Sequence, residues 1–146
     1  MNNKQDILIY LDCKVGGVVP VIAEIRLDKF NYISKNIVDK TAKIVKDEED
    51  MMYPHIDNEI GILEGLRFTV KNSKGEEKVV GHKDNYFYII SEPDILILGT
   101  PWLWLLDVTI NLRNEYLMFY HHLDKFKIHS TYPWKITNKT SGNFPK

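Results

Sequence analysis

At 146 residues the chain suits one domain, large enough to bury about two-thirds of the surface that its unfolded form exposes. Its 19 basic and 20 acidic side chains nearly cancel, which argues against a nucleic-acid partner and against a strongly cationic one. The single Cys13 excludes an internal disulfide and points to a reducing, cytoplasmic compartment; no apolar run is long enough for a membrane span, and the opening MNNKQD lacks a signal peptide's apolar core.

Ile7 to Tyr10 and Val18 to Ile25 are rich in β-branched residues and flank Gly16-Gly17, the pattern of two strands about a glycine turn. Pro20 places the second strand at an edge or marks its beginning. Ser34 to about Val45 can form a helix, with Ser34 as its cap and Ile37, Val38, Ala42 and Val45 on one side. The charge run Lys46 to Asp50 then reads as a solvated loop. Leu66, Phe68 and Val70 alternate as in a half-buried strand, Asn72 to Gly75 is good turn chemistry, and Lys78 to Val80 follows. Asn85 to Ile90 is an aromatic-rich strand. Without interleaved Lys and Arg, its rings read as sheet packing and not as a nucleic-acid stacking platform.

The stretch Asp94 to Leu103 (DILILGTPWL) is the expected centre of the core. Four consecutive aliphatics predict a strand buried on both faces. Gly99 removes a side chain where another segment passes close by, Pro101 fixes the backbone, and Trp102 supplies a large apolar anchor. Trp104 to Leu106 suits a short helix or turn. Strands follow at Val108 to Leu112, Tyr116 to His121 and Phe126 to His129, with turns at Arg113 to Glu115 and His122 to Asp124. The domain is expected over residues 1–130, and residues 131–146 read as a tail or linker, with Trp134 docking back. His121 and His122 face opposite ways in a strand, and His55, His82 and His129 are scattered, so neither metal nor cofactor is expected.

An acidic residue, an apolar strand, Leu98-Gly99, one more residue and Pro101-Trp102-Leu103 resembles the closing motif of gypsy-type LTR-retrotransposon aspartic proteases, members of the retropepsin family. Asp107 to Phe119 is similar to that family's strand, tight turn and strand, and Asn31-Tyr32-Ile33-Ser34 to the stretch after its catalytic loop, so that roughly Val15 to Ser130 is covered. The resemblance implies a mostly β fold, a retropepsin-like closed β-barrel with one or two short helices and a helix of only a turn or two after Ser34. It also implies a strand threading behind the catalytic loop, a flap near Gly61 and Gly65, and a homodimer whose termini share a sheet.

The same resemblance places Asp-Thr/Ser-Gly where this chain has Ile25-Arg26-Leu27-Asp28-Lys29. Counting back without gaps puts Ile25 at the aspartate position, Arg26 at the hydroxyl residue and Leu27 at the glycine; with a three-residue deletion, Asp28 takes the aspartate's place. Neither choice restores the triplet. An aspartic protease needs two carboxylates that share one proton, and Arg26 beside them would hold any carboxylate ionised. The expectation is therefore a protease-like domain without activity that binds a peptide or polyprotein segment or dimerises. The alternatives are an active endopeptidase that uses Asp28 on a Gag-Pol-type polyprotein, and an unrelated all-β interaction module.

Overall fold

A computed structural model describes residues 5–45, 56–57, 61–121, 124–129 and 134–138. The elements are β1 (Gln5–Val15), β2 (Val19–Ile25), β3 (Asn31–Ser34), α1 (Lys35–Val45), β4 (Ile56–Asp57), β5 (Ile62–Glu64), β6 (Phe68–Lys71) and β7 (Glu77–Val80). They continue with β8 (Tyr86–Ile90), β9 (Leu96–Leu98), α2 (Thr100–Leu105), β10 (Thr109–Asn111), β11 (Tyr116–His121), β12 (Asp124–His129) and β13 (Lys135–Asn138). The fold is mostly β with two helices among the described residues, and none of its helices is long and apolar enough to cross a membrane.

The larger sheet runs β4-β5-β8-β3-β9-β2-β1-β6-β7 and curls into a half-barrel. The three strands β10-β11-β12 form the smaller sheet. Ser73 in the β6–β7 turn joins the two, its backbone N–H donating to the Lys127 carbonyl at 2.8 Å.

β1 and β2 meet through Gly16 and Gly17, whose φ of +60° and +79° suit residues without a Cβ. β1 is longer than Ile7 to Tyr10, because Ile9, Leu11, Cys13 and Val15 all point into the core while Asp12 and Lys14 face out. Pro20 lies near the start of β2, opposite Lys14.

The helix after Ser34 keeps the bounds read from its residues but exceeds the length that the family resemblance implied. α1 runs for 11 residues, three turns instead of one or two, because Ile37, Val38, Thr41 and Val45 keep a buried stripe throughout. Ser34 is not its side-chain cap either. The Ser34 hydroxyl donates to the Glu92 carbonyl and accepts the Ile95 N–H, fastening the segment that leads into β9.

The turns at Asn72 to Gly75 and at Arg113 to Glu115 fall where expected. The charge run Lys46 to Asp50, His55 and the pair His122-Leu123 lie outside the described residues, and Asp124 opens β12. Within the segment read as a tail, Lys135–Asn138 forms β13, antiparallel to Gln5 to Leu8 of β1 in the same chain. Trp134 packs against the core, its backbone N–H donating to Glu115 Oε1 at 2.8 Å.

β9 is the centre of the core. It lies between β2, to which it is parallel, and β3, to which it is antiparallel, so it separates two strands that are consecutive in the chain. Leu96, Ile97 and Leu98 are all buried. Each such side chain contributes about 1.5–3 kcal/mol relative to exposure. Behind them Trp102 is wholly buried against Phe68 and Phe119 in edge-on ring contacts, with centroids 6.2 and 5.7 Å apart.

Candidate functional site

Because β9 separates β2 from β3, the connection between those two strands, residues 26–30, has to pass over the end of β9. Four contacts hold it there. The Arg26 N–H donates to the Leu98 carbonyl (3.1 Å) and the Thr100 N–H to the Asp28 carbonyl (2.8 Å). The Gly99 N–H donates to Asn31 Oδ1 (2.7 Å). At Gly99 itself, a Cβ would fall 2.3 Å from the Phe30 carbonyl oxygen, so only glycine fits under the loop.

Asn31 is fully buried and is the polar hub of this arrangement. While its Oδ1 accepts Gly99, its Nδ2 donates to the Tyr86 carbonyl (3.1 Å) and to Asn85 Oδ1 (3.3 Å). β3, β8 and the end of β9 are thereby locked together beneath the loop.

The loop side chains point in different directions. Ile25 is core, opposite Ile9 on β1 and beside Leu98 on β9. Arg26 faces outward and pairs with Glu24, two residues earlier on the same face. Leu27 is 80% exposed. Asp28 accepts the Lys29 N–H on Oδ1 at 2.7 Å, a local turn contact, and the Lys29 side chain is exposed. Together Leu27, Asp28 and Lys29 line an open groove of about 330 Å³ with Thr100, Pro101 and Trp104. Trp104, on the outer side of α2, is 77% exposed.

Gly61 and Gly65 bracket β5. Gly61, at φ +64°, leads out of the connection from β4, and its carbonyl accepts the Ile89 N–H at 2.8 Å. Gly65, at φ +73°, ends the strand with its N–H on the Asn85 carbonyl, also at 2.8 Å. The short β4–β5 hairpin is therefore pinned to β8 at both glycines.

The structure also assembles a surface that the sequence reading passed over. Ile62 on β5 lies opposite Tyr88 on β8, Tyr88 beside Tyr32 on β3, and Tyr32 opposite Ile97 on β9. Ile97 sits beside Glu24 on β2, and Glu24 opposite Tyr10 on β1. Paired residues project from the same side of a sheet, so this is one row across its outer face.

Phe30 and Tyr86 continue that face next to Tyr32 and Tyr88, and Glu64 lies opposite Tyr86. Phe30 meets Tyr88 edge-on at 5.2 Å and Tyr32 at 6.4 Å. The signal was available as Phe30/Tyr32 and Tyr86/Tyr88, two aromatic pairs at strand spacing. Only the strand order brings them together.

Among the described residues no three His, Cys, Asp or Glu side chains cluster as a metal site would require. His82 Nδ1 accepts the Asp84 N–H at 3.0 Å, and His129 Nδ1 contacts the Ser73 hydroxyl at 2.6 Å. Cys13 is buried in β1, where loss of hydration, aided by Asp12, pushes its thiol up to about 12; it is no nucleophile at neutral pH.

No family model matches the chain, and no curated protein matches it. Among solved structures, it is similar to the retroviral protease-like domain of Ddi1 from Leishmania major, with a TM-score of 0.53 and 17% identity over 77% of this chain and 84% of that one. With β9 passing between β2 and β3 beneath the loop of residues 26–30, the architecture is the mostly β, retropepsin-like fold of the aspartic proteases.

Proposed function

We propose that this chain is a retropepsin-like domain derived from a gypsy-type LTR-retrotransposon protease, that it has no proteolytic activity, and that it acts in the cytoplasm by binding a peptide or polyprotein segment or a second copy of itself. The observation that carries this reading is the composition and aim of the loop over β9. Lytic-water chemistry needs a carboxylate from each of two facing loops, close enough to share a proton. The loop of residues 26–30 holds a single carboxylate, Asp28, which is engaged by its own neighbour's N–H, while Ile25 is core and Arg26 occupies the outward position.

The origin in such an element rests on the motif Leu98-Gly99-Thr100-Pro101-Trp102-Leu103, whose Leu98, Gly99, Thr100 and Pro101 border the loop while Trp102 packs in the core. For peptide binding, the supporting features are the outward aromatic face beside β5 and the place of β4 at the end of the strand order among the described residues, where an extended segment can add as a strand. For self-association, the support is the apolar patch of Leu27, Pro101 and Trp104 around the loop. A shared terminal sheet would have to accommodate β13, which already pairs with β1 of its own chain.

Incubation with a Gag-type polyprotein under mildly acidic conditions tests the catalytic half. No cleavage is expected, and pepstatin-sensitive cleavage abolished by Asp28→Asn would establish the opposite, an active endopeptidase. Sedimentation tests the self-association half: the wild type should sediment as a dimer and Trp104→Ser as a monomer. A wild type that stays monomeric at high concentration refutes the dimer.

A further inference from the structure

We propose that the outer face formed by Phe30, Tyr32, Tyr86 and Tyr88, closed at one end by Glu64, is a subsite for a basic side chain, Arg or Lys, of an extended peptide. The inference rests on the peptide-binding reading above and names the chemistry that this face selects.

Three observations converge. The four rings form a two-by-two grid on β8, β3 and the residue that leads into β3, and Phe30, Tyr86 and Tyr88 are 44%, 50% and 39% exposed, an unusual amount of aromatic surface to leave in water. Aromatic faces carry negative potential and attract cations. At the β5 end the Glu64 carboxylate faces the same side opposite Tyr86, with no cationic partner among the described residues. At the β2 end the carboxylate of Glu24 is already neutralised by Arg26. Among the described residues the grid is thus bounded by one anion without an ion pair and one satisfied ion pair, which orients a cation toward Glu64.

The chain itself supplies the contrast. On the smaller sheet Lys127 sits 4.7 Å from the Tyr116 ring centroid and Lys125 5.4 Å from that of Tyr120. Those tyrosines hold a lysine of their own; the cation–π contacts among the described residues leave the Phe30–Tyr32–Tyr86–Tyr88 grid without one.

The test is calorimetric titration of the full chain with a blocked hexapeptide of alternating Val and Thr bearing one central Arg, against the same peptide with citrulline in its place. Citrulline keeps the shape and removes the charge. The Arg peptide should bind at least about fivefold more tightly. Added salt should shrink that preference, and Glu64→Gln should reduce it to about twofold or less. Tyr32→Leu with Tyr88→Leu should weaken the Arg peptide more than the citrulline one, and unchanged thermal unfolding of each variant rules out loss of fold.

Equal binding of both peptides, or a preference that survives Glu64→Gln, overturns the basic subsite and leaves peptide binding standing. Failure of both peptides to bind overturns the subsite together with the peptide-binding reading.

Discussion

Substituting Gly99 by Ala isolates the contact on which the candidate site depends. Gly99 has φ −89° and ψ −171°, an extended conformation open to any residue, so alanine meets no dihedral penalty. Replacing glycine at such a position would ordinarily stabilise by about 0.4–1 kcal/mol through the unfolded chain. The surroundings reverse the sign. The new methyl would lie 2.3 Å from the Phe30 oxygen, 2.9 Å from its carbonyl carbon and 3.0 Å from the Asp28 oxygen, all backbone atoms that cannot rotate away.

The loop must therefore retreat by about an ångström, which overpacks the site at roughly 1–3 kcal/mol. The same retreat loosens the bonds from Thr100 N–H to Asp28 and from Gly99 N–H to Asn31, at roughly 1 kcal/mol each. A loss of about 2–4 kcal/mol is expected, out of about 5–15 for a domain of this size. Urea unfolding followed by tryptophan fluorescence measures it. Gly75→Ala is the control: φ is +81° but nothing lies within 4 Å of the added Cβ, so only the backbone penalty of about 1–2 kcal/mol applies. If Gly99→Ala costs less than Gly75→Ala, the close approach of loop and strand is wrong.

Other consequences are as direct. Asn31→Ala removes a fully buried side chain and leaves the Gly99 N–H without an acceptor, so urea unfolding should show a loss of about 2–4 kcal/mol, with an equal loss absent in the exposed Asn114→Ala. For Cys13, the folded thiol keeps its proton up to about 12 whereas the unfolded thiol releases it from 9.0 upward. The unfolded chain thus binds fewer protons in that window, and stability falls as pH rises through it, by about 1.4 kcal/mol per pH unit. The urea midpoint of wild type should fall relative to that of Cys13→Val as pH rises above 9.0, and a pH-independent difference would show the thiol to be hydrated. Alkylation of Cys13 in the native protein should be slow at neutral pH and fast once urea unfolds it.

What the sequence made legible were the elements whose signals are local. Four aliphatics before Gly99 announced β9 with both faces buried, and the glycine announced a close approach, because each follows from side-chain volume alone. Tyr116 to His121 was legible to the residue, since its flanking turns are polar. β1 was half missed: Asp12 and Lys14 interrupt it for the eye, although Ile9, Leu11, Cys13 and Val15 hold period two. The three-turn length of α1 was masked by an expectation carried from the family, against a stripe that its own residues display. The aromatic grid was not legible, because Tyr32 and Tyr88 are 56 residues apart in a parallel pair, and nothing short of the strand order puts them side by side.

The same geometry shows how the loop over β9 is held independently of most of its side chains. The hydrogen bonds and the close approach that fix the loop of residues 26–30 over the end of β9 and the start of α2 run through loop backbone: the Arg26 N–H, the Asp28 carbonyl, and the Phe30 carbonyl over Gly99. The side chains of Leu27, Asp28 and Lys29 border the open groove, while that of Arg26 pairs with Glu24. The demands fall on glycine at 99, on an amide at 31 and on aliphatics at 96–98. Fold stability is therefore separable from the side chains at 27–29, and exchanging Leu27, Asp28 or Lys29 for other polar residues should leave unfolding within about 0.5 kcal/mol of wild type. A larger loss at any of the three would mean that the loop is held by its side chains after all.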